Sequence, residues 1–196
     1  MISLRPARIP GRWVEGYALD IHTESSRHVG TDDQGNPLFE TRRTPAGELL
    51  YRFKYRRDRA AVRELFVAAA DSLRAWHPPV DVLVPVPASR DRTPQPVTTL
   101  AVALARETGL GFCRDCVRRT KHHVELKSVH DYDARMEILA NAHEVDRSRV
   151  QGRAVLLFDD LYRSGATMNS ITAVLYDSGG AAVVYGLTLT RTRSRR

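Results

Sequence analysis

Residues 155–167 constrain the fold of this chain more than any other stretch. They run Val-Leu-Leu-Phe-Asp-Asp-Leu-Tyr-Arg-Ser-Gly-Ala-Thr. The first four residues are apolar without polar alternation, which is typical of a strand buried on both faces of a parallel sheet. Two acids follow where that strand is expected to end, and a turn of small residues then leads into a predicted helix. Ligands bind at the carboxyl ends of strands in open α/β sheets, so this order predicts a binding site.

The acids and the small-residue turn supply the groups that a phosphorylated sugar requires. Asp159 and Asp160 can accept hydrogen bonds from ribose hydroxyls and stabilise positive charge that develops on the ring. Gly165 permits a positive φ and close backbone approach, and N–H groups at a helix start bind phosphate. Arg163 adds a planar guanidinium that suits phosphate. Each group also has an ordinary structural alternative. Asp159 and Asp160 would then be solvated acids, Ser164 or Thr167 would be a simple helix cap, and Arg163 would point to solvent.

The thirteen residues resemble the 5-phosphoribosyl-1-pyrophosphate (PRPP) signature of type I phosphoribosyltransferases. The one departure is Arg163, where that family usually has a small hydroxyl or apolar residue. Val84–Pro87 and Leu50–Arg56 resemble the ComF-like branch of the family, which is competence-associated and similar to amidophosphoribosyltransferases. Later parts of the chain that echo this branch are Arg118–Lys121, Arg135 and Asn141. Together these stretches tie about residues 49–191 to the family.

The resemblance implies a role for each candidate residue. The catalytic acids would be Asp159 and Asp160; the 5-phosphate would lie against Arg163, Ser164, Gly165, Ala166 and Thr167; pyrophosphate would face Ala88, Ser89 and Arg90; and a flexible lid would contain Lys121, His122 and His123. The cofactor would be Mg²⁺, which would arrive with PRPP and lie near the two acids without an assigned protein ligand. For the lid, a solvated polar loop is the alternative. Lys54, Tyr55 and Trp13 are candidates for a hood over the acceptor base, with core packing as the alternative for the aromatic rings.

The function implied is that of an enzyme, a phosphoribosyltransferase. It would bind Mg-PRPP, transfer ribose 5-phosphate to a nitrogenous acceptor and release pyrophosphate. ComF-like chains usually have Arg-Gly-Phe-Asn where this chain has Thr93–Pro96, and often a four-cysteine zinc module where it has residues 1–44. Thr93–Pro96 and Arg163 favour an alternative, a PRPP- or nucleotide-binding regulatory or competence-type protein with little transferase activity. A third hypothesis is a factor that binds single-stranded nucleic acid through basic loops and the basic tail.

Strand and helix patterns alternate from residue 46 onward and predict an α/β fold. We expect a mostly parallel twisted sheet with helices on both faces. The predicted core strands are Asp81–Val86, Gly111–Val117, Ala154–Phe158 and Ala181–Thr190. Trp13–His22 and Leu38–Thr44 are expected to pair as an irregular hairpin. We therefore divide the chain into a hairpin or hood segment at 1–45 and a phosphoribosyltransferase-like domain at 46–196.

The charge balance favours anionic partners. Thirty basic side chains against 23 acidic ones give a net charge of +7, and four of the arginines stand in residues 191–196. The alternative for that tail is a frayed, solvated terminus. No apolar run suits a membrane span or a secretory signal, so we expect a cytoplasmic protein without a membrane partner. A homodimer is kept as an expectation because dimers are the commonest soluble assembly. Cys113 and Cys116 are expected to be reduced thiols, since two ligands do not close a zinc site.

Overall fold

A six-stranded sheet organises the chain, and five of its strands run parallel. The computed structural model describes residues 2–56, 58–88, 95–120 and 142–193. The strands are β1 (Ala7–Arg8), β2 (Glu15–Ile21), β3 (Thr23–Thr31), β4 (Pro37–Arg43), β5 (Val82–Pro85), β6 (Gly111–Phe112), β7 (Val117–Arg119), β8 (His143–Val145), β9 (Ala154–Tyr162) and β10 (Val183–Arg191). The central sheet has the order β1-β2-β10-β9-β5-β6, and only β1, at one edge, is antiparallel to its neighbour. The predicted α/β fold with a mostly parallel sheet is confirmed.

Helices cover both faces of this sheet. Within the described residues they are α1 (Pro45–Arg56), α2 (Arg59–Trp76), α3 (Pro96–Thr108), α4 (Arg147–Val150) and α5 (Ala166–Asp177). One face packs against α1, α2 and α3 through a cluster that includes Leu50, Leu65, Leu104 and Phe158. The opposite face packs against α5, which contributes Met168, Ile171 and Leu175 to a second cluster. These two layers bury β9 and β5, as their unbroken apolar sequences predict.

Local sequence signals set the helix ends. The side chain of Asp58 accepts hydrogen bonds from the Ala60 and Ala61 amides and caps α2. Thr44 Oγ1 accepts from the Gly47 amide in the first turn of α1. Gly109 ends α3 in the left-handed conformation that glycine adopts at little cost. Thr44 followed by Pro45, and Asp58, are sequence signals of a helix start, and α1 and α2 begin directly after these capping residues.

The N-terminal strands pair differently from the sequence prediction. Instead of returning to Leu38–Thr44, β2 adds to the central sheet parallel to β10. The hairpin forms between β3 and β4, which pair antiparallel on either side of the turn around Asp32 and Gly35. The predicted pairing was wrong because β3, which is polar and mostly exposed, shows little of the apolar pattern of a strand. The division of the chain at residue 45 stays a prediction.

Three other expectations need correction. The strand predicted at Gly111–Val117 is interrupted: β6 pairs with β5 in the central sheet and ends at Phe112, whereas β7 begins at Val117 and pairs with β8 in a separate two-stranded sheet. The strand predicted at Ala154–Phe158 continues through both acids to Tyr162, because β10 is equally long and stays in register with it as far as Arg191. Cys113 and Cys116, both buried, are joined by a disulfide rather than present as reduced thiols. The turn at Cys113–Cys116 brings the two side chains together, which a two-residue spacing alone does not reveal.

Candidate active site

The chain reverses direction across the sheet between β5 and β9. From β5 the chain passes through α3 to β6 on one side, and from β9 it passes through α5 to β10 on the other. The helices of these two connections lie on opposite faces. Such a switch point opens a crevice at the carboxyl ends of the two strands, where ligands bind in open α/β sheets. The segments that follow β5 and β9 are those in which the sequence predicts pyrophosphate and phosphate contacts.

The segment after β9 forms a small cleft. We call residues 163–167 the phosphate loop. The cleft has a volume of about 90 Å³ and is lined by residues 159 and 161–168. Gly165 is the N-cap of α5 with φ 78° and has no side-chain cap, while Ser164 Oγ accepts from the Ala166 amide at 3.4 Å. The first turn of α5 contains no acidic residue. Its backbone N–H groups and the positive end of the helix dipole therefore favour an anion here.

Asp159 lies in the wall of this cleft. Its Oδ1 accepts a hydrogen bond from the Asp160 amide at 2.8 Å, and its side chain is half-buried. Burial, followed by the neighbouring Asp160 carboxylate, raises the pKa of Asp159 to about 8, against the smaller opposing effects of that backbone bond and of Lys54. The carboxyl group is therefore largely protonated near neutral pH. In that form it can donate as well as accept a hydrogen bond, and both abilities suit sugar hydroxyls.

Asp160 lies on the other face of β9, because successive side chains of a strand alternate. Its Oδ2 is 2.6 Å from Lys54 Nζ, and its backbone oxygen accepts from Thr190 Oγ1 at 3.3 Å. The carboxylate is 11% exposed and the lysine side chain 23% exposed, so the pair is largely shielded from water. The two neighbouring acids thus meet different surroundings, one beside the phosphate loop and one beside a cation from α1.

The pKa of His22 reports a basic environment around this pair. His22 follows β2, and its Nδ1 lies 3.1 Å from Thr190 Oγ1. Burial is the main cause that lowers the pKa of His22, and the nearby cations Arg43, Lys54 and Arg163 lower it further, while Asp160 raises it. Three cations therefore lie within electrostatic range of one ring at the carboxyl edge of the sheet. Such an edge attracts a polyanionic ligand.

The predicted site residues fall into three groups. The structure brings together Asp159 and the phosphate loop, Arg163, Ser164, Gly165, Ala166 and Thr167, around one cleft, with Arg163 and Ser164 exposed. Ala88 is exposed after β5 and is the described end of the predicted pyrophosphate segment. Ser89, Arg90, Lys121, His122 and His123 lie outside the described residues. The roles of all these residues stay predictions.

The hood candidates have separate surroundings. Trp13 is buried, and its Nε1 donates to the Ile9 carbonyl at 3.0 Å, so it belongs to the core rather than to an open stacking surface. Tyr55 is 63% exposed on α1, beside Tyr51 at 5.1 Å between ring centroids. Sequence analysis did not foresee the contact between Lys54 and Asp160. The signal was available, because Lys54 is one helical turn after the buried Leu50 and therefore shares its side of α1.

The donor set fits a magnesium ion that arrives with its ligand. Mg²⁺ prefers oxygen donors and is commonly held by one or two carboxylates together with substrate phosphates. Asp159 supplies such an oxygen in the cleft, and Asp160 supplies another on the other face of β9, beside Lys54. Among residues 2–56, 58–88, 95–120 and 142–193, no group of three or more His, Cys, Asp or Glu side chains is arranged to hold a metal ion.

Solved structures with this fold are type I phosphoribosyltransferases. The chain is 14% identical to adenine phosphoribosyltransferase from Saccharomyces cerevisiae, with a TM-score of 0.51 over 85% of this chain and 83% of that one. It is 17% identical to the glutamine PRPP amidotransferase of B. subtilis, with a TM-score of 0.51 over 81% of this chain and 34% of that one. These similarities confirm a type I phosphoribosyltransferase fold.

A sequence relative narrows the comparison. Over 150 residues the chain is 27% identical to the competence protein ComFC of Bacillus subtilis (strain 168). The aligned region makes up 74% of this chain and 59% of the relative. The chain therefore spans 59% of the length of the curated relative that it matches. No protein-family model matches the chain. The relative and the fold together confirm the expected resemblance to ComF-like phosphoribosyltransferases. In the described residues, no helix combines the length and the apolar character needed to cross a membrane.

Proposed function

We propose that the protein is a phosphoribosyltransferase that binds Mg-PRPP and transfers ribose 5-phosphate to a nitrogenous acceptor with release of pyrophosphate. One observation carries the proposal: a half-buried acid and a helix N-terminus whose N-cap is a glycine line the same cleft at the switch point of the sheet. These groups match the two ends of a phosphorylated pentose. The phosphoribosyltransferase fold supports the same class of ligand. We also propose that the protein is cytoplasmic and that it forms a homodimer.

Each part of the site has a role in this proposal. The amides of the phosphate loop hold the 5-phosphate, and Asp159 positions the ribose hydroxyls. Asp160 holds Lys54, whose ammonium group has three donors and can also donate to the departing pyrophosphate. When bound, Mg²⁺ neutralises pyrophosphate and makes it a better leaving group. The ionised form of Asp159 would stabilise the positive charge that develops on the ribose.

Calorimetry with Mg-PRPP tests this function. We expect the wild-type protein to bind Mg-PRPP and the double variant Asp159→Asn with Asp160→Asn to lose that binding. Circular dichroism should show that the variant keeps its fold. The matched control is Asp115→Asn with Asp177→Asn, which changes two exposed acids outside the cleft. Equal affinity of the wild type and the site variant would rule out the assignment.

A regulatory protein with the same pocket is the alternative. The observation that favours it is the Lys54–Asp160 ion pair, which occupies one of the two expected ribose-binding acids. A screen of nitrogenous acceptors for pyrophosphate release distinguishes the two. Release that depends on both PRPP and an acceptor supports the enzyme, whereas tight PRPP binding without release for any acceptor supports the regulator.

An arrangement of rings and cations on α1 and at the end of β4 favours nucleic-acid binding as a second function. Arg43 stacks over the ring of Tyr51 at 3.9 Å, Arg56 lies 5.7 Å from the same centroid, and Tyr55 is adjacent and exposed. Aromatic and arginine side chains on one surface are typical of single-strand binding. Tyr55→Ala should weaken binding of single-stranded DNA, and wild-type affinity should fall steeply with salt. If binding of single-stranded DNA changes neither with Tyr55→Ala nor with salt concentration, this surface is not a nucleic-acid-binding site.

A further inference from the structure

The first residues of the chain are tied to the phosphate loop. We call residues 8–14 the N-terminal strap. Its ends are fixed to the sheet, since the Ile9 amide donates to the Gly16 carbonyl at 2.9 Å and the Val14 amide donates to the Val184 carbonyl at 3.0 Å. Between these points the strap crosses to the side of the sheet on which α5 lies. Trp13 fills the space beneath it and packs against the bare backbone of Gly186.

Two hydrogen bonds connect the middle of the strap to the residues on either side of the phosphate loop. Tyr162 Oη, immediately before the loop, donates to the Pro10 carbonyl at 2.9 Å. The Arg12 amide donates to Asn169 Oδ1, in the first turns of α5, at 2.8 Å. Tyr162 and Pro10 are 152 positions apart in sequence, and Arg12 and Asn169 are 157 positions apart. Neither bond is needed to complete a strand or a helix.

Tyr162 transmits the position of the strap to the glycine of the loop. The Tyr162 ring meets Trp13 edge-on, with 6.3 Å between ring centroids. The same ring also lies against Gly165, where an added Cβ would be only 2.7 Å from Tyr162 Cε2. Gly165 has φ 78° and is the N-cap of α5, so its conformation sets the direction of the amides that follow. The ring is thus held between the strap and the helix N-cap.

We propose that the N-terminal strap is a positioning element for the 5-phosphate site and that Tyr162 is the positioning residue through which it acts. The inference rests on the proposed function for the identity of the ligand. The strap fixes the phenol at Pro10 and Trp13, the phenol ring limits the movement of Gly165, and Asn169 fixes the first turns of α5. The amides of the phosphate loop are therefore ordered before the ligand arrives, which reduces the entropy lost on binding.

A pair of phenylalanine variants tests this proposal. Tyr162→Phe keeps the ring and removes the bond to Pro10. Tyr176→Phe is the matched control, because Tyr176 lies in the last turn of α5, far from the phosphate loop, and its hydroxyl accepts from the Val184 amide at 2.9 Å. The measurements are backbone amide hydrogen exchange of the free proteins, and calorimetry with ribose 5-phosphate and with pyrophosphate as separate probes.

The proposal predicts a local effect. Tyr162→Phe should speed exchange in residues 163–168 and weaken ribose 5-phosphate binding by about three- to tenfold, as expected for the loss of one hydrogen bond, with pyrophosphate affinity unchanged. Tyr176→Phe should change neither measurement in the loop. The proposal is overturned if the two variants behave alike, or if Tyr162→Phe speeds exchange throughout the protein and weakens both probes equally. If the wild type binds neither probe, the proposed function fails, while the exchange data still decide whether the strap orders the loop.

Discussion

Asp159 and Asp160 are adjacent in sequence but chemically distinct. Alternation along β9 places one carboxyl group in the cleft of the phosphate loop and the other against Lys54. Burial and repulsion raise the pKa of the first, while the second has a cation 2.6 Å away. The pair therefore offers one protonated acid and one paired carboxylate near neutral pH, which separates the hydrogen-bonding role from the charge-balancing role.

The raised pKa of Asp159 predicts how stability depends on pH. The pKa of Asp159 in the folded protein lies above its value in the unfolded chain, so its contribution is fully present below the unfolded pKa of about 4 and is lost as pH rises through the folded pKa. Asp159→Asn should therefore flatten the fall in unfolding free energy between about pH 4 and 8. Urea unfolding across that range measures the effect, with the exposed Asp177→Asn as control. An equally steep fall in both variants would contradict the assigned environment.

Gly165 is the one glycine of the phosphate loop, and we expect its position to tolerate a side chain poorly. Its φ of 78° is strained for any other residue, and an added Cβ would contact the Tyr162 ring at 2.7 Å. Gly165→Ala should lower the unfolding free energy by about 2–3 kcal/mol, from backbone strain of about 1 kcal/mol or more plus the steric contact. Gly35→Ala is the matched control, because Gly35 has φ 82° with nothing within 4 Å of the added Cβ. Denaturant unfolding that shows equal losses would mean that the tyrosine contact adds nothing.

At the scale of elements, α1 contributes to the site through Lys54. Its apolar stripe packs against the sheet, and the same side of the helix delivers the ammonium group to Asp160. The N-terminus of α1 approaches β2 closely, since an added Cβ at Gly47 would be 1.9 Å from the His22 carbonyl oxygen. The register of α1 relative to β9 is therefore fixed from both ends of the helix.

The Lys54–Asp160 pair should stabilise the protein more than a surface ion pair does. Lys54→Met leaves a largely buried carboxylate without its partner and should cost about 1–3 kcal/mol of unfolding free energy. Combining Lys54→Met with Asp160→Asn should recover part of that loss, because the unpaired charge is removed. The exposed pair Arg27–Glu40 provides the control, where Arg27→Met should cost less than about 1 kcal/mol. Denaturant unfolding of the wild type, Lys54→Met, Asp160→Asn and the double variant measures the coupling between the two side chains. Additive losses of unfolding free energy at Lys54 and Asp160 would contradict it.

Over the whole molecule, local sequence signals predicted the parts that depend on local physics. The apolar strand at 154–158, the capped helices at Thr44 and Asp58, and the strand–helix–strand order around residue 165 were all visible as patterns. The pairing of β2 with β10 was not, because parallel partners that are about 170 residues apart leave no turn signal between them. Tyr162 stands at a variable position of the signature, so only the tertiary contact with Pro10 reveals its place.

The N-terminal residues also show why a boundary drawn from composition differs from the tertiary arrangement. Residues 1–45 differ from the remainder in pattern, yet β2 is an interior strand of the central sheet and the strap contacts both flanks of the phosphate loop. Only β3 and β4 form the separate hairpin. Site and scaffold are therefore assembled from both ends of the chain, and contacts of this kind depend on the complete fold.

A crystal structure with PRPP and Mg²⁺ tests the central claim most directly. The proposed function predicts the 5-phosphate within hydrogen-bond distance of backbone amides in residues 164–168, the ribose hydroxyls at Asp159, and the pyrophosphate directed toward Ala88. A phosphorylated sugar bound elsewhere, or a phosphate loop that faces away from the bound ligand, would contradict it.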